Sequence, residues 1–143
     1  MDPSLVGVTL PDAPASVAYL DSSALIKLIV VEAESGALRR ELAHWPRRTS
    51  SLIAHIEVTR AATRLGASAP ALAARALSDL DLLAIDPIAH AASRIGGALL
   101  RSLDAIHLAT AASIAAELGA LITYDRRTIA EGQALGLPVL TPA

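Results

Sequence analysis

Ser16-Val17-Ala18-Tyr19-Leu20 is followed at once by Asp21-Ser22-Ser23. A short run of mostly apolar side chains suits a strand buried on both faces, and Asp-Ser-Ser is a helix-start signal, because side-chain oxygens there satisfy the free N–H groups of a first helical turn. The expectation is a strand, then a helix, with a carboxylate at the junction. The same order returns late in the chain. Ala120-Leu121-Ile122-Thr123-Tyr124 is the best buried-strand candidate, and Asp125 precedes a helix expected from about Arg126 to Leu135.

Between these two units the alternation continues. The first helix is expected to run through Leu25, Ile26, Leu28 and Ile29, and a second from near Glu34 to about His44, where Pro46 stops it. Arg48 to Ser51 reads as a weak strand. Leu52, Ile56, Ala62 and Leu65 then keep a helical period up to Gly66, with Glu57 inside it. Pro70 opens a helix to about Leu80, and Leu82-Leu83-Ala84-Ile85 reads as a strand. Asp86-Pro87 starts a helix toward Leu100 that Gly96 and Gly97 weaken. Ser102 to Asp104 starts another, toward Leu118, which Gly119 closes, and Pro138 to Leu140 is a final short strand. Short apolar strands alternating with helices imply an α/β fold, a three-layer α/β/α arrangement around a mostly parallel sheet. No repeat or linker divides it: residues 17–143 read as one domain and 1–16 as a loose N-terminal extension.

Composition narrows the function classes. With 143 residues, 53% hydrophobic and 18% charged, the chain is long and apolar enough for one buried core. Aromatic residues make up 2%, which counts against binding single strands by base stacking. Cysteine is absent, so disulfides, thiolate metal sites and a cysteine nucleophile are excluded and any metal must rest on oxygen or imidazole. No apolar stretch approaches the roughly 18 to 20 residues a membrane helix needs. Met1 to Ser16 lacks a basic leader and carries Asp2, Pro3, Pro11, Asp12 and Pro14, so it reads as neither signal nor anchor, and the expected location is cytoplasmic.

In open parallel sheets ligands collect at the carboxyl ends of strands where the strand order reverses. Asp21 and Asp125 both follow strands, so they project from one edge if those strands are parallel neighbours. Asp104, in the first turn of a helix, and Glu57, inside another, join them only if those helices end over that edge. Four converging carboxylates resist joint ionisation unless a cation neutralises them, and hard oxygen donors suit magnesium or manganese. Such an ion draws in an anionic substrate, polarises a phosphoryl oxygen and makes hydroxide available near neutral pH. A second reading stands beside it: Asp21, Asp104 and Asp125 are helix caps and Glu57 a solvated helix residue.

Val17-Ala18-Tyr19-Leu20-Asp21-Ser22-Ser23-Ala24-Leu25-Ile26-Lys27 resembles the opening of PIN domains, especially the VapC-type toxins of bacterial toxin–antitoxin pairs. The segment Ser51 to Arg60, around Glu57, resembles the helix bearing their second acid; Leu103-Asp104-Ala105-Ile106-His107-Leu108-Ala109-Thr110-Ala111 resembles the third motif and Leu121-Ile122-Thr123-Tyr124-Asp125-Arg126-Arg127 the fourth. The resemblance covers nearly everything after Ser16. It implies a PIN-like, metal-dependent endoribonuclease in which Asp21, Glu57, Asp104 and Asp125 are catalytic, with Asp21, Asp104 and Asp125 holding magnesium, or manganese in its place. Ser23 and Thr123 are expected to hydrogen-bond a carboxylate or a metal-bound water.

Lys27, Arg60, Arg126 and Arg127 are candidates for RNA phosphates, with solvated surface charge as the other reading. His107, one turn past Asp104, either faces the cleft, binding phosphate or moving a proton, or is a core histidine. His44, His55 and His90 lack the spacing of a zinc site. The formal net charge of -2 gives no global attraction to nucleic acid, so RNA capture falls to local arginines and the cation, and a folded RNA, transfer or ribosomal, is the expected substrate. The resemblance further implies a homodimer and a VapB-like antitoxin laid across an apolar groove, for which Leu25, Ile26, Leu28, Ile29, Val30 and Val31 are candidates.

Two rival readings remain. One is a catalytically inactive PIN-fold interaction module. The other is a phosphoaspartyl protein, which fits poorly: a receiver domain needs a lysine after a late strand and the chain's one lysine is Lys27, while the phosphatases place a second Asp where Ser23 stands.

Overall fold

The computed structural model describes residues 15–143, so the expected N-terminal extension lies, up to residue 14, outside the described residues. In chain order the elements are β1 (Val17–Leu20), α1 (Ser22–Ile26), α2 (Ser35–Leu42), β2 (Arg47–Ser51), α3 (Leu52–Ala62), α4 (Ala69–Ser78), β3 (Asp81–Leu83), a 3-10 turn (Asp86–Ile88), α5 (Ala89–Ala92), α6 (Ser102–Ser113), β4 (Leu118–Ile122), α7 (Arg126–Ala134) and β5 (Val139–Leu140). The strands form one sheet in the order β3-β2-β1-β4-β5. Every neighbouring pair is parallel, so the expected mostly parallel sheet is parallel throughout the described residues.

All four residues of β1 are buried, as a central strand covered on both faces requires. Alternation along it divides the core in two. Ala18 and Leu20, with Ala120 and Ile122 of β4, meet α1, α2, α3 and α4 through Leu25, Leu38, Val58 and Leu77. Tyr19 and Leu121 point the other way, against Leu108 and Ala111 of α6. Small residues set the spacing: a Cβ at Gly132 in α7 would come 2.9 Å from Val139 and 3.3 Å from Leu121, so glycine lets α7 lie close on the sheet.

Several expected boundaries move: the first helix ends at Ile26 rather than running through Ile29, and the strand expected at Leu82 to Ile85 is Asp81–Leu83. The helix from Asp86 toward Leu100 ends at Ala92. Gly96 there takes φ +74°, a left-handed backbone that breaks a helix, and the Gly97 N–H donates to Glu131 Oε1 at 3.1 Å instead of to a helical carbonyl. The helix expected to reach Leu118 stops at Ser113, and the strand expected from Ala120 to Tyr124 begins at Leu118 and ends at Ile122. Leu118 is buried in the Tyr19 cluster, and the turn bonds Ile114 N–H to Ala111 O and Glu117 N–H to Ile114 O close the helix early enough to put it there.

The apolar residues of the first helices are for the most part turned inward. Leu25 and Ile29 are buried and Ile26, Leu28 and Val30 pack against the same core, which leaves Val31 alone widely open, at 89% exposure. Packing two sheet-facing turns into so short a helix consumes the surface. Among the described residues no helix is long and apolar enough to cross a membrane.

Candidate functional site

The chain runs from β1 to β2 and β3 on one side, then crosses back to lay β4 and β5 on the other. The reversal falls between β1 and β4, whose registers pair Leu20 with Ile122. Asp21 and Asp125 therefore leave the sheet at the same edge, beside the switch point where open parallel sheets bind ligands.

Asp21 caps α1 and is 3% exposed. Its Oδ1 accepts from Ser23 Oγ at 2.6 Å and from the Ala24 N–H at 3.1 Å, and its Oδ2 from Thr123 Oγ1 at 2.5 Å. Burial pushes its carboxyl above the usual range, while nearby His107 and these donors pull it back. Ser23 and Thr123, the two small polar residues singled out in sequence, thus both touch Asp21. They also lock the strand end: Ser23 Oγ accepts the Tyr124 N–H at 2.9 Å and Thr123 Oγ1 accepts the Asp125 N–H at 3.2 Å.

Asp125 caps α7, with Oδ1 accepting from the N–H groups of Arg127 and Thr128, both at 3.0 Å, and from Thr128 Oγ1 at 3.2 Å. Asp104 lies in the first turn of α6. Its carboxyl is pushed up by burial and then by the charges of Asp125 and Asp21, which places it within electrostatic reach of both. Capping and chemistry are compatible here, since a cap uses one oxygen of a carboxylate that carries two.

Glu57 is tied to the trio only through the chain neighbour of Asp21. Its Oε1 lies 2.7 Å from His107 Nε2 and its Oε2 accepts from Ser22 Oγ at 3.1 Å, so it is neither a solvated helix residue nor hydrogen-bonded to the other acids. Among the described residues no three histidine or carboxylate side chains are grouped as a metal site would need. Asp21 and Asp125 are turned toward protein donors, which offset the repulsion between neighbouring acids, and Asp104 is half-buried in the first turn of α6 beside them. The donors still fit magnesium or manganese, which typically take one or two carboxylates directly and keep several waters.

The basic candidates divide. Arg126 and Arg127 are exposed directly beside Asp125, and Arg60 is exposed one turn beyond Glu57. Lys27 is committed to Glu34 at 2.9 Å and Glu32 at 3.1 Å and lies 4.8 Å from the centre of the Tyr124 ring. Sequence reasoning left His107 between a cleft role and a core role; it is 1% exposed, between Glu57 and the Tyr19 hydroxyl, whose oxygen is 2.7 Å from Nδ1. Tyr19 and Ser22 were missed. A signal existed for Tyr19: it is one of two tyrosines in a chain without phenylalanine, set in an otherwise aliphatic strand.

Residues 18–132 match the family described as the PIN domain. The chain is 48% identical over 128 residues to ribonuclease VapC46 of Mycobacterium tuberculosis, a match covering 87% of this chain and 97% of that protein. It is 39% identical to ribonuclease VapC47 of the same species, over 87% of this chain and 96% of the relative. Among solved structures, a toxin–antitoxin complex from Klebsiella pneumoniae superposes with a TM-score of 0.64 at 30% identity, covering 88% of this chain and 98% of that one.

Proposed function

The chain belongs to the PIN-domain family, and from that premise we propose that it is the toxin of a toxin–antitoxin pair, a metal-dependent endoribonuclease that hydrolyses a folded RNA. The observation that carries this reading is the trio Asp21, Asp104 and Asp125 at the switch-point edge, where Asp104 is pushed up first by burial and then by the charges of the other two. A buried carboxylate, Asp21, with two half-buried ones beside it and no paired base costs stability, and a site that carries this cost is a functional candidate.

Asp21, Asp104 and Asp125 would hold magnesium, or manganese in its place. Bound there, the ion would polarise a phosphoryl oxygen and supply hydroxide near neutral pH. The protein's own part is orientation. Ser23 and Thr123 hold both oxygens of Asp21, the α7 N–H groups hold one oxygen of Asp125, and Glu57 is held at both of its oxygens, available as an acceptor for the attacking water. Arg60, Arg126 and Arg127 are exposed near these acids and offer guanidinium forks to phosphates. Transfer or ribosomal RNA is the substrate class, the cytoplasm the place of action, a VapB-like antitoxin the partner and a homodimer the assembly.

The inactive interaction module is favoured by one observation, the absence among the described residues of a ready three-ligand group. Cleavage of total RNA by the wild type and by Asp21→Asn, each free of any partner and with or without magnesium or manganese, decides between them. Discrete products that need both the metal and Asp21 are expected. No cleavage by either protein, with no metal binding by calorimetry, would overturn the nuclease reading.

A further inference from the structure

One buried polar chain crosses the molecule and is not used by the three aspartates. It runs from the Tyr19 hydroxyl to His107 Nδ1 at 2.7 Å, from His107 Nε2 to Glu57 Oε1 at 2.7 Å, and from Glu57 Oε2 to Ser22 Oγ at 3.1 Å. Tyr19 and α6 belong to one face of the sheet and α3 to the other, so the His107–Glu57 contact ties helices of opposite faces together at the carboxyl edge. The His107 ring is held edge-on to Tyr19, with centroids 5.8 Å apart and planes at 75°.

We infer that His107 is the positioning residue for Glu57, holding its carboxylate in the one rotamer that serves the cleavage site; this rests on the nuclease reading above. His107 is 1% exposed and both ring nitrogens are engaged, so it meets neither RNA nor solvent, which removes the phosphate-binding role. The proton arrangement follows from the neighbours. An ionised carboxylate only accepts, so the ring donates from Nε2 to Glu57, while the Tyr19 hydroxyl, which can donate or accept, pairs with Nδ1.

That arrangement has a directional consequence. Tyr19, immobile in the core, fixes the ring, and the ring fixes Oε1, while Ser22 fixes Oε2 from the residue next to Asp21. Two donors leave the carboxylate with unused acceptor sites, and its side chain is still 17% exposed toward solvent. Glu57 is thus held without being consumed. Without the imidazole, a glutamate with three rotatable bonds at a helix surface spreads over several rotamers, and few of them face Asp21.

A pair of substitutions separates this role from simple core filling. His107→Gln places an amide N–H where Nε2 stands and keeps the bond to Glu57; His107→Asn places its amide where Nδ1 stands, keeps Tyr19 and cannot reach Glu57. Single-turnover cleavage of total RNA, followed at the discrete products and with enzyme in excess, gives a maximal rate and a half-saturating enzyme concentration, and thermal melts show that each variant folds. The expected result is a maximal rate within about threefold of wild type for Gln and about 10- to 100-fold lower for Asn, with half-saturation unchanged in both. Equal rates for Asn and Gln, or an effect confined to half-saturation, would overturn the positioning role while leaving the nuclease reading intact. A wild type that cleaves nothing overturns both.

Discussion

Leu20 and Asp21 are chain neighbours buried alike, at 0% and 3% exposure, yet they stand in regions of opposite energetic character. Leu20 joins an apolar cluster in which every buried methylene contributes roughly 0.8 kcal/mol by leaving water. One residue further, the same burial disfavours the ionised carboxylate, and Ser23, Thr123 and the Ala24 N–H only offset it. The interior holds the fold; the rim above it is kept in place by the interior and is destabilising in its active form. Stability and activity should therefore come apart under substitution.

The largest expected effect on stability comes from the interior. Leu38 in α2 is fully buried in the first cluster and belongs to an element that carries none of the acids, so Leu38→Ala should lower the unfolding free energy by about 2–5 kcal/mol in urea denaturation while each folded molecule cleaves RNA at the normal rate. A parallel loss of rate in the folded fraction would show that interior and rim are not separable. Thr123→Val tests the rim with nearly the same shape. It removes the donor to Asp21 Oδ2 and the acceptor of the Asp125 N–H, with an expected stability loss of about 1–3 kcal/mol and cleavage lowered about 10- to 100-fold. A variant that cleaves like wild type would show that Thr123 serves the fold alone.

The smallest effect is read from pH. Asp21 and Asp104 are both pushed above the ordinary carboxylate value, so the folded state holds these protons more tightly than the unfolded chain does. Their contribution is fully present below about pH 4, where the unfolded carboxylates are protonated, and is lost as pH rises through the raised values. In chelator, Tm should therefore fall over that rise, less steeply in Asp21→Asn, and magnesium should flatten the wild-type curve by favouring the ionised forms. A Tm that rises with pH across the same window would contradict the electrostatics assigned to the rim.

Much of this was legible from short stretches. Asp21 and Asp125 each end a strand and begin a helix, and both cap as expected, because a cap bonds to backbone two or three residues away. The left-handed turn at Gly96 was signalled only as a weakness in a helix, and the early end of α6 not at all, since Leu118 joins the strand to reach a buried site beside Tyr19, nearly 100 residues earlier. Local propensity does not register such a distant demand.

What the sequence determined by itself is the local chemistry: which carboxylates follow strands, which hydroxyls flank them, and an alternation that leaves a parallel sheet as the economical packing. Tertiary structure decided the company each acid keeps. The crossover that seats β4 beside β1 joins Asp21 to Thr123, and the packing of α3 and α6 on opposite faces joins Glu57 to His107. Those bonds span 102 and 50 residues, and a hydrogen bond works only within about 3 Å, so nothing short of the whole folded chain sets them.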